Sequence, residues 1–564
     1  MRTKYWWLFL IVAVVVVNYL ASLVHYRIDL TAEKRYTLSE PTKKLLDGLA
    51  DRVVIDVYLA GDLPADFRNL RNNAEELLHE FREAGNNSIT YRFQRPGEGL
   101  DDTAKQNLLI YLDSMGIRPT NVRVQTKAGE SQEESLVYPA ALVTYNDRVM
   151  PVDLLQGQDM TGGLQSLNNA AALLEFKFAN AIQKLTREEP AVIGYLAGND
   201  EPLSYNVYDL IERTLRPNYG FGFIPIDSVP VIPLEFDAVV IMKPAKAFSD
   251  QQKLKIDQYI MHGGKVLWMI DNLYAEMDSL MRTQSDFVAF DRGLNIEDLL
   301  FRYGVRINQD LVQDLQCDKL PLAVGNFGDQ PQLQLVPWFY FPLLSSQNGH
   351  PISKNMNNVL SIFPNSLDTV EAAGIKKTVL LSTSENSRRL STPAIVSLNS
   401  VKTEEDIKTF NERNIPIAML LEGKFSSLYT NRIAKSVADS LQNVYRQPFL
   451  SSASADNKMI VIADADIAAN VVTQAEGPLQ MGTNQFTKTQ YANREFILNC
   501  IEYLTNPSRI LETRSKSFVL RLLDPAKVEQ EKTMWQLINV GVPVVLMLAF
   551  GFIYQAIRNK KYAA

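Results

Sequence analysis

Two long apolar segments, one near each end of the chain, set the first constraint on what it can fold into. Residues 5–24 read YWWLFLIVAVVVVNYLASLV, with Asn18 as the one strongly polar side chain. A helix needs about 20 such residues to cross a hydrocarbon layer about 30 Å thick. Tyr5, Trp6 and Trp7 suit the headgroup level, and Arg2 and Lys4 lie on the outer flank. A cleaved signal peptide, for which Ala21-Ser22 would serve as the small-residue site, carries an apolar region of only about 7–15 residues. A retained anchor is therefore expected. At the other end, residues 535–554 read WQLINVGVPVVLMLAFGFIY and are followed by Arg558, Lys560 and Lys561. Gly541, Pro543, Gln536 and Asn539 would also suit a buried core helix, but membrane helices tolerate Gly and Pro better than soluble ones. Their presence in so short a span suggests helix-on-helix contact.

Basic residues on the outer flank of both spans predict that both termini are cytoplasmic. The expected layout is a cytoplasmic N-terminus over 1–4, membrane helices over 5–24 and 535–556, and a cytoplasmic C-terminus over 557–564. The chain between would lie across the inner membrane, in the periplasm of a bacterium.

That intervening body has globular composition. Of 564 residues, 46% are apolar and 21% charged, which excludes a disordered chain and allows several domains. The 57 basic against 64 acidic side chains leave a net charge of -7, with no general attraction for nucleic acid. Cys317 and Cys500 cannot build a disulfide scaffold or a four-cysteine zinc site. His25, His79, His262 and His350 lie far apart with no ligand spacing, so no metal or cofactor is expected. No GxxxxGK[ST] motif occurs, and without that phosphate cradle the chain is not expected to hydrolyse ATP itself. Gly263-Gly264-Lys265 follows a helical pattern where a phosphate loop would precede one.

The body reads as two α/β units. The first, over 25–186, runs strand, helix, strand, helix, strand, strand: 53–59, 66–84, 88–93, 103–115, 140–145 and 148–154, with Asn146-Asp147 as the final turn. This order suits a thioredoxin-like domain. Asp62-Leu63-Pro64-Ala65-Asp66 stands where a redox relative would carry Cys-x-x-Cys, so disulfide exchange is not expected. Tyr138-Pro139 stands where that fold keeps a cis proline, and a cis bond is expected there. A helix over 166–185 connects to the second unit, over 187–534. Short apolar strands at 191–196, 221–226, 236–242 and 265–270 alternate there with helices. One helix turns Val207, Leu210, Ile211 and Leu215 to one side, and another opens on a Ser249-x-x-Gln252 capping box. The alternation implies a mostly parallel sheet of Rossmann or amidotransferase-like type, joined by later strands at 417–421 and 459–462. A stretch rich in Pro, Asn, Ser and Gly, about 318–401, reads as an insertion or lid.

Three groups could carry chemistry. Cys317 and His350 would have to meet for nucleophilic catalysis, but the thiol sits in an Asp- and Gln-rich stretch and the histidine in a loop. Chance placement is the simpler explanation. Cys500, among Phe496, Ile497, Ile501 and Leu504, reads as a small core residue. Asp464 and Asp466 follow a strand, so both carboxylates fall at its carboxyl end, where α/β sheets place ligands. Such a pair can hold Mg²⁺ or divide nucleophile and acid roles; it can also stabilise the start of a helix. The structural role is favoured, because the phosphatases that use such a pair place it on the first strand.

The stretches at 254–271 (LKIDQYIMHGGKVLWMID), 312–317 (VQDLQC), 325–343 (GNFGDQPQLQLVPWFYFPL), 421–426 (LEGKFS), 458–470 (KMIVIADADIAAN) and 521–524 (RLLD) resemble the gliding-motility ABC transporter auxiliary subunits of the GldG family. The resemblance spans essentially the whole chain. It implies a non-enzymatic subunit that partners a membrane permease and a separate cytoplasmic ATPase, in the context of gliding motility. Two other functions fit the residues: a periplasmic solute-binding protein with a ligand cleft between the two α/β units, and a metal-dependent hydrolase using Asp464 and Asp466.

Overall fold

The computed structural model describes residues 12–16 and 37–562, apart from 62, 115–116, 118, 126–131, 156–163, 278, 280–285, 328–329, 399–403, 507, 509 and 516–524. Residues 12–16 are helical, and the rest of the expected first membrane span lies outside the described residues. The chain divides into two units, Met1–Phe518 and Val519–Ala564.

The first unit begins with the strand β1, Val53–Val57. Its Val53, Ile55 and Val57 are fully buried while Asp56 faces outward, the period-two pattern of a strand with one covered face. The helix α1, Ala65–Ala84, follows and stops at Gly85, after which Asn86 and Asn87 turn the chain with positive φ. The strand β2, Ile89–Phe93, lies parallel to β1. The helix α2, Asp102–Ser114, and a hairpin of Thr120–Gln125 with Gln132–Val137 lead to β3, Ala140–Tyr145, and β4, Arg148–Asp153. Asn146, at φ 52, makes the tight turn between them. The sheet order is β2-β1-β3-β4, with β3 antiparallel to both neighbours.

Tyr138–Pro139 is trans. The cis bond among the described residues is Thr392–Pro393. Position in the chain does not by itself hold an X–Pro bond cis, and a trans proline just ahead of a strand leaves the ladder of β3 intact.

The helix α3, Leu164–Thr186, leads into a seven-stranded sheet. Its strands are β5 (Val192–Ala197), β6 (Gly220–Pro225), β7 (Ala238–Met242), β8 (Lys265–Met269), β9 (Ile375–Ser382), β10 (Pro416–Gly423) and β11 (Asn457–Ile462). The order is β9-β10-β11-β8-β7-β5-β6. Strands β5, β6, β7, β8 and β11 are parallel, while β10 and β9 extend one edge antiparallel. Along the central strands, alternate side chains enter opposite cores. Val240, Leu267 and Ile460 join one cluster, and Val239, Trp268 and Val461 the other. Burying each such Val, Leu or Ile side chain contributes roughly 1.5–3 kcal/mol, which is why these strands read as unbroken apolar runs. The first cluster also takes in Val53, Ile55 and Val57, so one core runs from the four-stranded sheet into the seven-stranded one.

The helix α4, Asp250–Met261, opens on the expected capping box. Gln252 N donates to Ser249 Oγ at 3.3 Å, and Ser249 N donates to Gln252 Oε1 at 2.8 Å. The helix expected around Val207–Leu215 differs from a regular one. Tyr205–Val207 is a 3₁₀ turn and Asp209–Leu215 a π-helix. Its buried Asp209 ties the segment down from two sides: the backbone N–H donates to Asn470 Oδ1 at 3.0 Å, and the carboxylate accepts from Arg494. The stretch read as an insertion contains a long hairpin, Cys317–Phe327 with Gln330–Leu344. It also contains β9, which pairs into the main sheet. After α5, Asn493–Thr505, the second unit contains α6, Pro525–Tyr562.

Candidate functional site

Three strands of the main sheet end side by side, and each delivers a charged side chain to its carboxyl edge. After β7, Lys243 takes a left-handed backbone (φ 46) and donates its N–H to Met269 O at 2.8 Å. After β8 comes Asp271, and after β11 come Asp464 and Asp466. The carboxyl edge of a parallel sheet is where ligands bind in folds of this kind.

Asp464 is fully buried. Its Oδ1 accepts from Asp466 N at 2.8 Å, and its Oδ2 accepts from Ile362 N at 2.8 Å and from the Ser361 hydroxyl. Asp271 Oδ1 accepts from Ala465 N at 2.6 Å. Lys243 Nζ lies 3.0 Å from Asp271 Oδ2, an ion pair outside hydrogen-bond angles, and 3.2 Å from Glu276 Oε2. The same ammonium donates to Asp466 Oδ1, and Arg292 closes the group by donating to Glu276. Burial, reinforced by the charges of Asp271 and Asp466, holds the Asp464 carboxyl well above the usual carboxylate range. Burial also pushes Asp466 up, to about 7, with Lys243 opposing and Asp271 and Glu276 assisting. Burial favours the neutral amine of Lys243, but Asp271, Asp466 and Glu276 more than offset it and hold the ammonium charged.

Oxygens of Asp271, Asp464 and Asp466 lie within 4.8 Å of one another, close enough to converge on one cation. Their bonding argues against a resident metal. Both oxygens of Asp464 accept from donors of the chain, Asp271 accepts from a backbone N–H, and the remaining negative charge faces the Lys243 ammonium. The cation of this cluster is a tethered lysine. The short turn after Asp464 is a 3₁₀ turn, Ala465–Ala468, capped by Asp464, in place of the longer helix start expected.

The sequence pointed to Asp464 and Asp466 and missed Lys243, Asp271, Glu276 and Ser361. A usable signal existed for two of them, since Lys243 and Asp271 directly follow the apolar runs 236–242 and 265–270.

Cys317 and His350 sit among different charged neighbours. Burial and the carboxylates of Asp314 and Asp318 push the Cys317 thiol up to about 12. Burial lowers the His350 imidazole, which feels Glu422, Lys376 and Lys458 and packs edge-on against Tyr503 at 5.1 Å between ring centres. A thiol held protonated, with no imidazole among the groups that perturb it, lacks what a cysteine nucleophile needs. Cys500 is buried in the core on α5, where it was expected.

The second unit is defined by one apolar helix. Residues Glu531–Lys561 have a mean hydropathy of 2.2 over their most apolar 18-residue window, and none of that window is buried. By length and composition the helix can cross a membrane.

Fold and site together define a mixed α/β body whose carboxyl-edge charges are paired internally, on a chain that also carries an apolar helix fit for a bilayer. Residues 190–500 match the family described as ABC-type uncharacterized transport system, and the chain belongs to that family. Residues 32–144 match a domain of unknown function (DUF7088). The chain is similar to an uncharacterized protein of Borreliella burgdorferi, 21% identical over 431 residues that cover 74% of this chain and 76% of that one. Among solved structures it is similar to the mmIFT52 N-terminal domain, at TM-score 0.30 and 15% identity over 56% of this chain and 98% of that one. It is also similar to the exo-beta-1,4-mannosidase Op5Man5 from Opitutaceae bacterium strain TAV5, at TM-score 0.18 and 10% identity over 77% of this chain and 51% of that one. At such scores neither structural likeness bears on fold or function.

Proposed function

We propose that the chain is a non-enzymatic accessory subunit of an ABC-type transport complex, held in the inner membrane at both ends with its body in the periplasm. One observation carries this reading: the family is that of an ABC-type transport system, and the chain that belongs to it holds an exposed apolar helix of membrane-spanning length. The basic flanks of both apolar segments support cytoplasmic termini. The partners are a membrane permease and a separate cytoplasmic ATPase, since this chain has no phosphate-binding loop of its own. The resemblance to the GldG subunits supports a role in gliding motility.

The non-enzymatic reading is supported by the carboxyl-edge cluster, whose acids are bonded to backbone donors and to Lys243. The order β2-β1-β3-β4, with its first pair parallel and the rest antiparallel, supports a thioredoxin-like first domain over 25–186, devoid of redox chemistry. The domain over 187–534 is then the family's own α/β module. A core shared between the two sheets favours a rigid body over a hinged ligand cleft.

Purification of the tagged full chain from gently solubilised membranes tests the partnership. A polytopic permease and a P-loop ATPase should accompany it in near-equal amounts. A chain that purifies alone, with a melting temperature that rises with a small solute, would replace this reading with solute binding.

A further inference from the structure

The two edges of the seven-stranded sheet are finished differently. At β9, Lys376 and Lys377 and two register shifts against β10 blunt the edge, devices that keep a strand from pairing with another chain. At the opposite edge, β6 pairs with β5 without a shift and with no other described strand. Gly220 N donates to Ala191 O and Ile226 N to Ala197 O, both at 2.9 Å. Alternate residues of a parallel strand bond the same neighbour, so Gly222 and Ile224 also face β5. Phe221 and Phe223 therefore turn their N–H and C=O groups outward. This open window is short. Before it, Tyr219 N donates to Leu215 O; after it, Pro225 has no N–H and its carbonyl accepts from Ser228 N and Val229 N. The rings of Phe221 and Phe223 lie 5.1 Å apart on one face, and Phe223 is 46% exposed.

We propose that this edge pairs with the same edge of a second copy of the chain, antiparallel and centred on Gly222. Phe221 of each copy then stands opposite Phe223 of the other and exchanges both backbone bonds with it, so the outward N–H and C=O groups of both residues are met. The opposed rings share a face, a cross-strand contact that aromatic residues favour. Gly222 meets Gly222 of the other copy, with no side chain to hold the strands apart. A longer foreign strand would run its next donors and acceptors against Pro225 and the turn at Ser228.

The stretches that lead to the two apolar segments favour the same occupant. Ser39 N and Thr42 Oγ1 each donate to Glu175 Oε1 at 2.8 Å, and Arg514 stacks on Phe176 at 5.0 Å. Both stretches are thus fixed on neighbouring residues of α3. Leu174, Phe178 and Ile182 of α3 share a core with Tyr195, on the sheet face that carries Phe221 and Phe223. An edge-to-edge antiparallel pair has its two-fold axis normal to the sheet, so both copies turn this layer to the same side. Two chains anchored in one membrane must do so. A strand pair alone buries less than the roughly 1,000 Å² of a lasting complex, and a shared membrane supplies the local concentration that so small a contact needs. That strength rests on the reading of the chain as a membrane-anchored subunit.

Register-specific disulfides in native membranes test the pairing on the full chain. Opposed residues of a hydrogen-bonded antiparallel pair lie about 5.5 Å apart at Cα, within reach of a disulfide, and diagonal ones about 7–8 Å apart, beyond it. Two differently tagged chains, one Phe221→Cys and one Phe223→Cys, should therefore cross-link to each other under copper–phenanthroline. Neither should link to itself above the background that Cys317 and Cys500 set in the unsubstituted chain. Gly222→Cys lies on the axis and should link to its own kind, at about 4.5 Å between Cα atoms. Its Cβ would meet the Phe236 ring at 3.2 Å, and it keeps both phenylalanines, so it gives a second reading where loss of Phe221 impairs folding. Adding Phe223→Lys to the Phe221→Cys chain should lower the mixed dimer roughly fivefold, the weight of one aromatic cross-strand pair. No link from the mixed pair and from Gly222→Cys, self-linking equal to mixed linking, or a link from Phe223→Cys to a different protein without a mixed dimer would each overturn the proposal. A permease that co-purifies with the chain while these cysteines stay unlinked would refute the pairing and leave the accessory role standing. A mixed dimer from a chain that purifies with no transporter partner would do the reverse.

Discussion

Replacing Lys243 with methionine would keep the length of the side chain and remove the one cation at the centre of the carboxyl-edge cluster. In the folded chain that ammonium lies 3.0 Å from Asp271 and 3.2 Å from Glu276 and also bonds Asp466, with the lysine side chain only 15% exposed. Removing one partner of a buried ion pair costs about 3–5 kcal/mol, because the remaining charge is left unpaired out of water. Protonation limits that cost, at about 1.4 kcal/mol for each unit by which a carboxyl pKa exceeds the pH. Asp466 already sits at about 7 with the lysine present, and without it the value rises further. The sign of the pH dependence follows. A carboxyl whose folded pKa lies above its unfolded value of about 3.9 binds protons more tightly in the folded state. The variant's stability should therefore fall as the pH rises through the folded value and recover as the pH drops toward the unfolded one. Urea unfolding of the full chain in mild detergent, followed by tryptophan emission with the buried Trp268 as a reporter, should show a loss of about 3–5 kcal/mol at pH 8. The loss should shrink at pH 5.5. A loss below about 1 kcal/mol at pH 8, or one that grows on acidification, would refute the view of Lys243 as the cluster's counter-ion.

Asp257 is fully buried and accepts from Tyr303 Oη at 2.9 Å, Ser427 Oγ at 2.7 Å, Leu428 N at 3.0 Å and Gln258 Nε2 at 2.9 Å. Asp257→Ala strands those donors and should cost about 3 kcal/mol or more in thermal unfolding, at about 1–3 kcal/mol for each stranded group before relaxation. With its thiol pushed up to about 12, Cys317 should react with iodoacetamide at pH 8 at least a hundredfold more slowly than a free thiol of pKa about 8.5; comparable rates would show a thiolate there. Asp464→Asn together with Asp466→Asn should leave phosphate-ester hydrolysis at the buffer level with or without Mg²⁺, and a metal-dependent activity abolished by the pair would make the chain an enzyme.

Much of the fold was legible because its signals are local. The apolar run that opens at Val53, expected as a strand over 53–59 and found over Val53–Val57, the Asn146 turn and the Ser249–Gln252 box each act within a few residues. The hairpin at Thr120–Gln125 and Gln132–Val137 escaped, since its strands are largely polar and carry little of the apolar alternation that marks a covered face. The long hairpin over Cys317–Phe327 and Gln330–Leu344 was hidden in the stretch read as an insertion, because Pro321, Pro331, Pro337 and Pro342 punctuate it. Its register shifts at Cys317/Lys319 and Ala323/Gly325 accommodate strands that a regular ladder would reject. The π-helix at Asp209–Leu215 was hidden for another reason: its wide turn is held by Asn470 and Arg494, more than 250 positions away. Distance in sequence also explains the half-seen site. Asp464 and Asp466 announce themselves as a pair, but Lys243 becomes their neighbour only when β7, β8 and β11 assemble.

The central claim, a body held across the membrane by anchors whose basic ends stay in the cytoplasm, is tested most directly by two-sided thiol labelling. Glu189→Cys, in an exposed turn of the body, and a cysteine appended after Ala564 would each be exposed to a membrane-impermeant maleimide. The native thiols give little background, as Cys500 is buried and the Cys317 thiol is held protonated. In intact cells with a permeabilised outer membrane, the site at 189 should label fully and the C-terminal site only after the inner membrane is opened. Labelling of the C-terminal site in intact cells, or protection of the site at 189 until lysis, would contradict the account.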